Sequence, residues 1–135
     1  MILTDTGPLV ALLDKDDASH QQCVQIAQQL PAGPMLTTWP CFTEAMYLLG
    51  AVGGYRYQSV LWSFFKAGRL VLHPSSPTEL DDMEQLMKQY ADTPMDLADA
   101  SLVATANALA LCQIFTIDSD FRIYRLKDGS VFEIL

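Results

Sequence analysis

Two acidic residues are predicted at the ends of buried strands. Asp5 closes the short apolar run that begins at Ile2, and Asp118 follows the apolar run Gln113–Ile117. Short apolar runs of this kind are typical of strands in a buried parallel sheet. In open α/β sheets, ligands bind in the crevice outside the carboxyl ends of the strands. Asp5 and Asp118 are therefore candidates for a ligand site.

Two further acids lie on the predicted buried faces of helices. One helical stripe contains Cys41, Glu44, Ala45, Leu48, Leu49 and Val52, and another contains Asp96, Asp99, Ala100, Val103, Ala104 and Asn107. Apolar residues at this spacing predict faces that pack against the sheet. A carboxylate on such a face is costly unless it finds a cation, a hydrogen-bond network or a metal. Glu44 and Asp99 are therefore also candidates for a site.

The four candidate acids can converge on one edge of the sheet. Crowded carboxylates repel one another, and a divalent cation that prefers oxygen ligands relieves that repulsion. A nearby base would do the same, but no Lys or Arg lies within four residues of Asp5, Glu44 or Asp99.

Each acid also has a structural interpretation that the sequence leaves open. Asp5 fits a strand-end cap, and Glu44 fits the neutralisation of a helix N-terminus. Asp96 lies three residues after Thr93, a spacing that favours a capping box over a ligand role. The segment 118–120 also fits an ordinary turn.

Composition and charge limit the class of protein. The chain has 135 residues, of which 50% are hydrophobic and 18% are charged, so we expect one compact domain covering residues 1–135. The net charge of −8 disfavours nucleic-acid binding, because affinity for phosphates comes largely from Lys and Arg. That objection weakens if several of the acids bind a metal. We expect no membrane span and no secretory signal, and hence a cytoplasmic protein.

The cysteines and histidines suggest no second site. Cys23, Cys41 and Cys112 are odd in number and widely spaced, which argues against a disulfide framework or a zinc site. We expect them to be reduced thiols in the core. His20 and His73 lie near no candidate ligand set and are expected on the surface or in loops.

The elements that must position these acids alternate along the chain. Strands are predicted at Ile2–Asp5, Met35–Trp39, Leu70–Leu72, Gln113–Ile117 and Val131–Leu135. Helices are predicted from Thr6 as the cap, over Ala18–Leu30, from Pro40 to Gly53, over Tyr57–Lys66, from Thr78 to Tyr90 and from Thr93 to Ala110. This alternation predicts an α/β protein with a mainly parallel sheet.

Four short motifs follow one another along the whole chain. They are Ile2-Leu3-Thr4-Asp5-Thr6, Thr43-Glu44, Leu97-Ala98-Asp99-Ala100 and Thr116-Ile117-Asp118-Ser119-Asp120-Phe121. Their order and spacing resemble the PIN-domain family, specifically its bacterial VapC-type toxins. The ordered set is more specific than any single piece. The acidic net charge is the feature that fits this resemblance least well.

The resemblance implies a fold, a chemistry and partners. The implied fold is a three-layer α/β/α sandwich, and the implied activity is RNA hydrolysis with Mg²⁺ or Mn²⁺. Metal-binding and catalytic roles would belong to Asp5, Glu44, Asp99 and Asp118, and accessory roles to Asp120, Thr116 and Asp96. A separately encoded antitoxin and a homodimer are also implied.

Basic and aromatic residues suggest where partners bind. Arg122, Arg125 and Lys127 follow the last acidic motif and are candidates to contact RNA phosphates, ahead of a second basic group around Arg56. The segment from Ala45 to Phe65 is rich in aromatic residues and is predicted to form, besides core, a groove for an antitoxin helix or a second subunit.

Other function classes fit the sequence less well. A haloacid-dehalogenase-like phosphatase needs an acid where Gly7 stands, and a receiver domain needs paired acids after the first strand and a late lysine. A serine hydrolase needs G-x-S-x-G and a suitable histidine. The remaining rival is a non-catalytic PIN-like scaffold that binds proteins. The four retained acids argue against it, since a scaffold has no use for crowded negative charges.

Overall fold

The computed structural model describes residues 1–135 and contains a five-stranded sheet. The strands are β1 (Ile2–Thr4), β2 (Met35–Thr38), β3 (Leu70–His73), β4 (Gln113–Phe115) and β5 (Glu133–Ile134). Every neighbouring pair is parallel, and the order across the sheet is β3-β2-β1-β4-β5. The predicted α/β class and parallel sheet are confirmed.

Six helices flank the sheet. They are α1 (Thr6–Leu13), α2 (His20–Gln29), α3 (Trp39–Gly53), α4 (Tyr55–Lys66), α5 (Pro77–Gln89) and α6 (Leu97–Leu109). Leu3 and Ile114 pack with α5 and α6 in the largest core cluster, whereas Ile2 and Phe115 pack with α1 and α2. This alternation along the strands buries both faces of the sheet and gives the predicted three layers.

Helix starts differ from their predicted positions because other side chains cap them. Asp5, and not Thr6, is the N-cap of α1, and Ser76 forms a capping box with Glu79 at the start of α5. Helix α6 begins at Leu97 and not at Thr93, because residues 91–95 form a turn in which the Met95 N–H donates to the Tyr90 carbonyl.

The predicted stripe of α3 was wrong in detail, whereas the stripe of α6 from Asp99 to Ala104 is buried as predicted but is only part of a wider buried surface. In α3 the buried side comprises Cys41, Phe42, Ala45 and Leu49, while Leu48, Val52 and Glu44 are exposed. Helix α6 is buried on all sides from Ala98 to Ala106, since it packs against α5, α3 and the sheet. A helix enclosed in this way has no single apolar stripe to detect.

Some single-residue expectations also need correction. Cys112 is exposed, although Cys23 and Cys41 lie in the core as expected. His73 lies at the end of β3 with only 12% of its side chain exposed, and its Nε2 lies 2.8 Å from Glu79. No helix is long and apolar enough to cross a membrane.

Candidate metal centre

Asp5 lies at the centre of the sheet edge, directly after the middle strand. Its Oδ1 accepts a hydrogen bond from the Thr6 N–H at 2.7 Å, which makes it the cap of α1, and its Oδ2 accepts from the Thr116 hydroxyl at 2.8 Å. Burial raises the pKa of Asp5 to about 6, although both hydrogen bonds act to lower it. The ligand role and the capping role predicted from the sequence are therefore compatible.

Asp118 follows the neighbouring strand β4 and is linked to Asp5 through Thr116. The Thr116 hydroxyl accepts from the Asp118 N–H at 3.0 Å while it donates to Asp5. The Asp118 Oδ1 accepts from the Asp120 N–H at 2.9 Å and caps the short 3-10 helix Ser119–Arg122. The predicted turn thus holds Asp118 in place without using its second carboxylate oxygen in a hydrogen bond.

Asp99 enters from the first turn of α6. Asp96 is the N-cap of that helix, and its Oδ1 accepts from the Asp99 N–H at 2.8 Å. The Asp99 Oδ2 accepts from the Tyr124 hydroxyl at 2.7 Å. Burial is the main cause that raises the pKa of Asp99 to about 7, and the charges of Asp96, Asp5 and Asp118 raise it further.

These three carboxylates meet in a group suited to a hard cation. One oxygen from each of Asp5, Asp99 and Asp118 lies within 4.8 Å of the others. Oxygens on opposite sides of Mg²⁺ are about 4.2 Å apart, so small shifts or a bridging water would complete coordination. No Lys, Arg or His side chain forms a salt bridge with any of the three acids.

The donor set favours a hard cation over a softer metal. Cys41 lies close to Asp5, but burial, followed by the charge of Asp5, raises the pKa of its thiol to about 12. Without a metal the thiol therefore stays protonated, and it is not part of the group formed by the three carboxylates. The available donors are carboxylate oxygens, which fit Mg²⁺ or Mn²⁺.

Glu44 and Asp96 lie at the rim and not within the group of three. Glu44 is exposed, and its pKa is raised by partial burial and then by the charge of Asp96. Its charge also raises the pKa of Asp5, so it lies within electrostatic reach of the centre. Glu44 is thus placed to act on a molecule in the site more readily than to share a metal with all three acids.

The predicted RNA-binding bases separate into different regions. Arg122 lies with Asp118 and Ser119 in one surface depression. The Arg125 guanidinium donates to the carbonyls of Arg122, Ile123 and Tyr124, so it holds its own loop together. The Lys127 N–H donates to Asn107, which lies eight residues, or roughly 12 Å, along α6 from Asp99. Of these three basic residues, only Arg122 lies beside the acidic group.

Tyr124 is the residue that sequence analysis missed. Its ring packs edge-on against Tyr90 and Phe121, both at 5.1 Å between ring centroids, and this packing aims the hydroxyl at Asp99. Burial raises the pKa of Tyr124, with Asp99 and Asp120 adding to the effect, so the hydroxyl remains a donor. A tyrosine soon after an acidic motif is too common to have indicated this contact.

The similarity of this chain to known proteins lies in its fold and not in its sequence. No protein-family model matches the sequence, and no curated protein matches it. The sarcin-ricin loop cleaving toxin VapC20 of Mycobacterium tuberculosis superposes with a TM-score of 0.82 at 16% identity, over 89% of this chain and 92% of that one. The chain has the PIN-domain fold of VapC toxins.

Two toxin–antitoxin complexes share this VapC-type fold. The Klebsiella pneumoniae complex matches with a TM-score of 0.67 at 19% identity, over 90% of both chains. VapBC2 of Rickettsia felis, bound to a DNA fragment from its promoter, matches with a TM-score of 0.67 at 14% identity, over 99% of this chain and 98% of that one. In the VapC-type fold of this chain, the group of three acids lies at the carboxyl ends of β1 and β4.

Proposed function

We propose that residues 1–135 form a single metal-dependent endoribonuclease domain that hydrolyses RNA phosphodiester bonds. The observation that carries this proposal is the convergence of Asp5, Asp99 and Asp118 with no salt bridge to any of them, in a fold shared with VapC toxins. Uncompensated carboxylates cost stability, which makes a resident cation the simplest reason for their retention.

The residues of the chain divide into holders of the metal and holders of the substrate. Asp5, Asp99 and Asp118 would bind Mg²⁺ or Mn²⁺, and such a cation supplies charge neutralisation at the phosphate and lowers the pKa of a water molecule. Glu44 at the rim would orient that water and accept its proton, since no histidine lies in the site. Thr116 and Tyr124 fix the orientation of Asp5 and Asp99.

Three helix N-termini partly offset the acidic charge of the protein. Asp5 and Asp96 cap helices α1 and α6, and Cys41 in the first turn of α3 contacts the Ala98 carbonyl in the first turn of α6. Helix N-termini carry partial positive charge and donate to anions. Arg122, which lines one depression with Asp118, would add a positive charge for the RNA backbone beside the proposed site.

Partners follow from the neighbours and from the surface. We propose that this chain is the toxin half of a pair, because similar folds occur in toxin–antitoxin complexes. An apolar surface on α3 and α4 is available for an antitoxin helix or a second copy in a homodimer; its exposed members are Tyr47, Leu48, Val52, Tyr55, Val60, Trp62 and Phe65. The three free cysteines fit action in the reducing cytoplasm.

Cleavage of single-stranded or looped RNA tests the proposed activity. We expect hydrolysis with Mg²⁺ or Mn²⁺ that stops with EDTA and returns when the metal is restored. The Asp99→Asn variant, purified in parallel, reveals any contaminating nuclease. Undiminished cleavage in excess chelator contradicts the mechanism. Absence of cleavage by a folded, metal-loaded protein that still binds its antitoxin would instead favour the scaffold.

A further inference from the structure

An open depression of about 590 Å³ adjoins the acidic centre on the side of α3 and α6. Trp39 and Leu97, the first residues of these two helices, line it, and they are 53% and 50% exposed. Pro40 and Ala98 also line it. Neither side chain is buried, so together they leave an apolar surface at the starts of the two helices.

Trp39 is held firmly although half of its surface is free. The preceding residue, Thr38, caps α3 through its hydroxyl, which also hydrogen-bonds to Ser101 at 2.6 Å. The indole ring meets Phe42 edge-on, with 5.7 Å between ring centroids and an interplanar angle of 85°. An aromatic ring fixed before binding loses little conformational entropy when a planar group stacks on it.

The depression is continuous with the proposed site through its acidic residues. Glu44 and Asp96 line it, and Ala98 precedes Asp99 in the chain. The Asp96 Oδ1 accepts a hydrogen bond from the Asp99 N–H, and the Asp96 Oδ2 has no hydrogen-bond partner in the protein. A group bound beside Trp39 therefore lies next to the phosphate that the centre would hold.

The chemistry of the lining selects the occupant. No Lys or Arg lines the depression, so a phosphate would meet only the carboxylates of Glu44 and Asp96. A nucleobase is uncharged, presents an apolar face to an aromatic ring and has N–H donors at its edge for carboxylate oxygens. We propose that an unpaired base of the RNA substrate, adjacent to the scissile phosphate, stacks on Trp39; this inference rests on the function proposed above.

Two single-tryptophan proteins provide a matched test. The chain has two tryptophans, so Trp62→Phe leaves Trp39 as the only one and Trp39→Phe leaves Trp62. Both changes are made with Asp99→Asn, which removes one negative charge and keeps the RNA intact. Each protein is titrated with a single-stranded RNA of mixed sequence in a buffer that contains Mg²⁺. We expect quenching of Trp39 fluorescence and little change for Trp62.

Cleavage measurements supply the second arm. In the otherwise unaltered protein, Trp39→Ala is expected to raise KM for the same RNA by roughly 5- to 100-fold. Trp39→Phe should retain most of the affinity, and Leu80→Ala, which removes an exposed apolar side chain from α5 outside the depression, should have little effect. Thermal melting of each variant identifies any loss of folding.

The outcomes separate this inference from the proposed function. If the parent cleaves RNA while Trp39 is not quenched and Trp39→Ala keeps its KM, the stacking site is wrong and the nuclease stands. If Trp39 is quenched but no RNA is cleaved, the base site stands and the catalytic proposal fails. A Trp39 signal that follows protein concentration, or that saturates with an arginine-rich peptide and not with RNA, assigns the depression to a protein partner and overturns the inference.

Discussion

Glu79 and Asp99 occupy the same position in two adjacent helices. Each is the third residue of its helix, and its N–H donates to the cap side chain, Ser76 for α5 and Asp96 for α6. Both are buried, at 8% and 7% exposure. Their partners differ, because Glu79 meets His73 at 2.8 Å whereas Asp99 meets only the Tyr124 hydroxyl and other acids.

This difference distinguishes an acid that stabilises the fold from one retained at a cost. The Glu79 carboxylate completes a capping box and lies beside a side chain that can carry positive charge. Asp99 has no such partner, and the neighbouring carboxylates raise its pKa. Burial alone therefore does not identify a functional acid in this protein; the lack of a counter-charge beside Asp99, together with the nearby Asp5 and Asp118, is what favours a metal-binding role.

Replacing Asp99 by Asn should have the largest effect on activity. The change preserves shape but removes one charge and one metal ligand, so we expect kcat/KM for RNA to fall by at least about 100-fold. The metal-free variant should melt at the same temperature as the parent or higher. Mg²⁺ at about 100 times Kd should stabilise the parent by about 2.7 kcal/mol, and the variant by much less.

Replacing Glu79 by Gln is the matched control and should give the opposite pattern. We expect the free energy of unfolding to fall by about 1–2 kcal/mol, since a charge-assisted hydrogen bond becomes a neutral one. Cleavage should stay near that of the parent. Urea denaturation and the same RNA assay measure both quantities. A lower melting temperature for Asp99→Asn, together with retained cleavage, would contradict the proposed difference between Glu79 and Asp99.

The next largest effect is expected on how the stability of the metal-free protein depends on pH, because the acids of the centre lack a counter-charge. The folded pKa values of Asp5 and Asp99, about 6 and about 7, lie above the ordinary value of 3.8. Between these limits the folded state binds more protons than the unfolded state, so stability falls as pH rises from about 4 to about 7. Thermal melts in EDTA across this range should show the fall, and Asp99→Asn should reduce it. A stability that does not change with pH over this range would contradict the crowding of the buried carboxylates.

Replacing Tyr124 by Phe should have the smallest effect. The ring contacts with Tyr90 and Phe121 survive, but Asp99 loses the hydrogen bond that lowers its pKa. We expect Kd for Mg²⁺ to rise about tenfold, with cleavage restored at high Mg²⁺. Tyr90→Phe is the matched control, because the hydroxyl of Tyr90 accepts from the Arg125 N–H and does not reach Asp99. Isothermal titration calorimetry measures Kd for both variants.

The positions of Asp5 and Asp118 could be predicted because they depend on local signals. Each follows a short apolar run, and parallel strands bring their carboxyl ends to one edge. The convergence of Asp5, Asp99 and Asp118 agrees with that reasoning, although their catalytic role stays a prediction.

The rest of the site depends on packing that no local pattern records. The exposure of Glu44 could not be predicted, because Leu48 and Val52 continue its helical stripe in α3. Both are apolar, as core residues are, although the structure exposes them. The contact between Tyr124 and Asp99 joins residues 25 positions apart and depends on the path of the segment after β4. Lys127 follows the acidic motif closely in sequence, yet that same path takes it to the far end of α6.

The Thr116 hydroxyl has a consequence for how this protein can diverge. Because it donates to Asp5 and accepts from the Asp118 backbone, it fixes the start of the segment that leaves β4. Substitutions in the exposed turn Lys127–Ser130, which lies beyond Tyr124, can therefore change the surface there while the ligand positions stay in place. Under the function proposed above, surface contacts and metal chemistry would then be separately variable within one short stretch of chain.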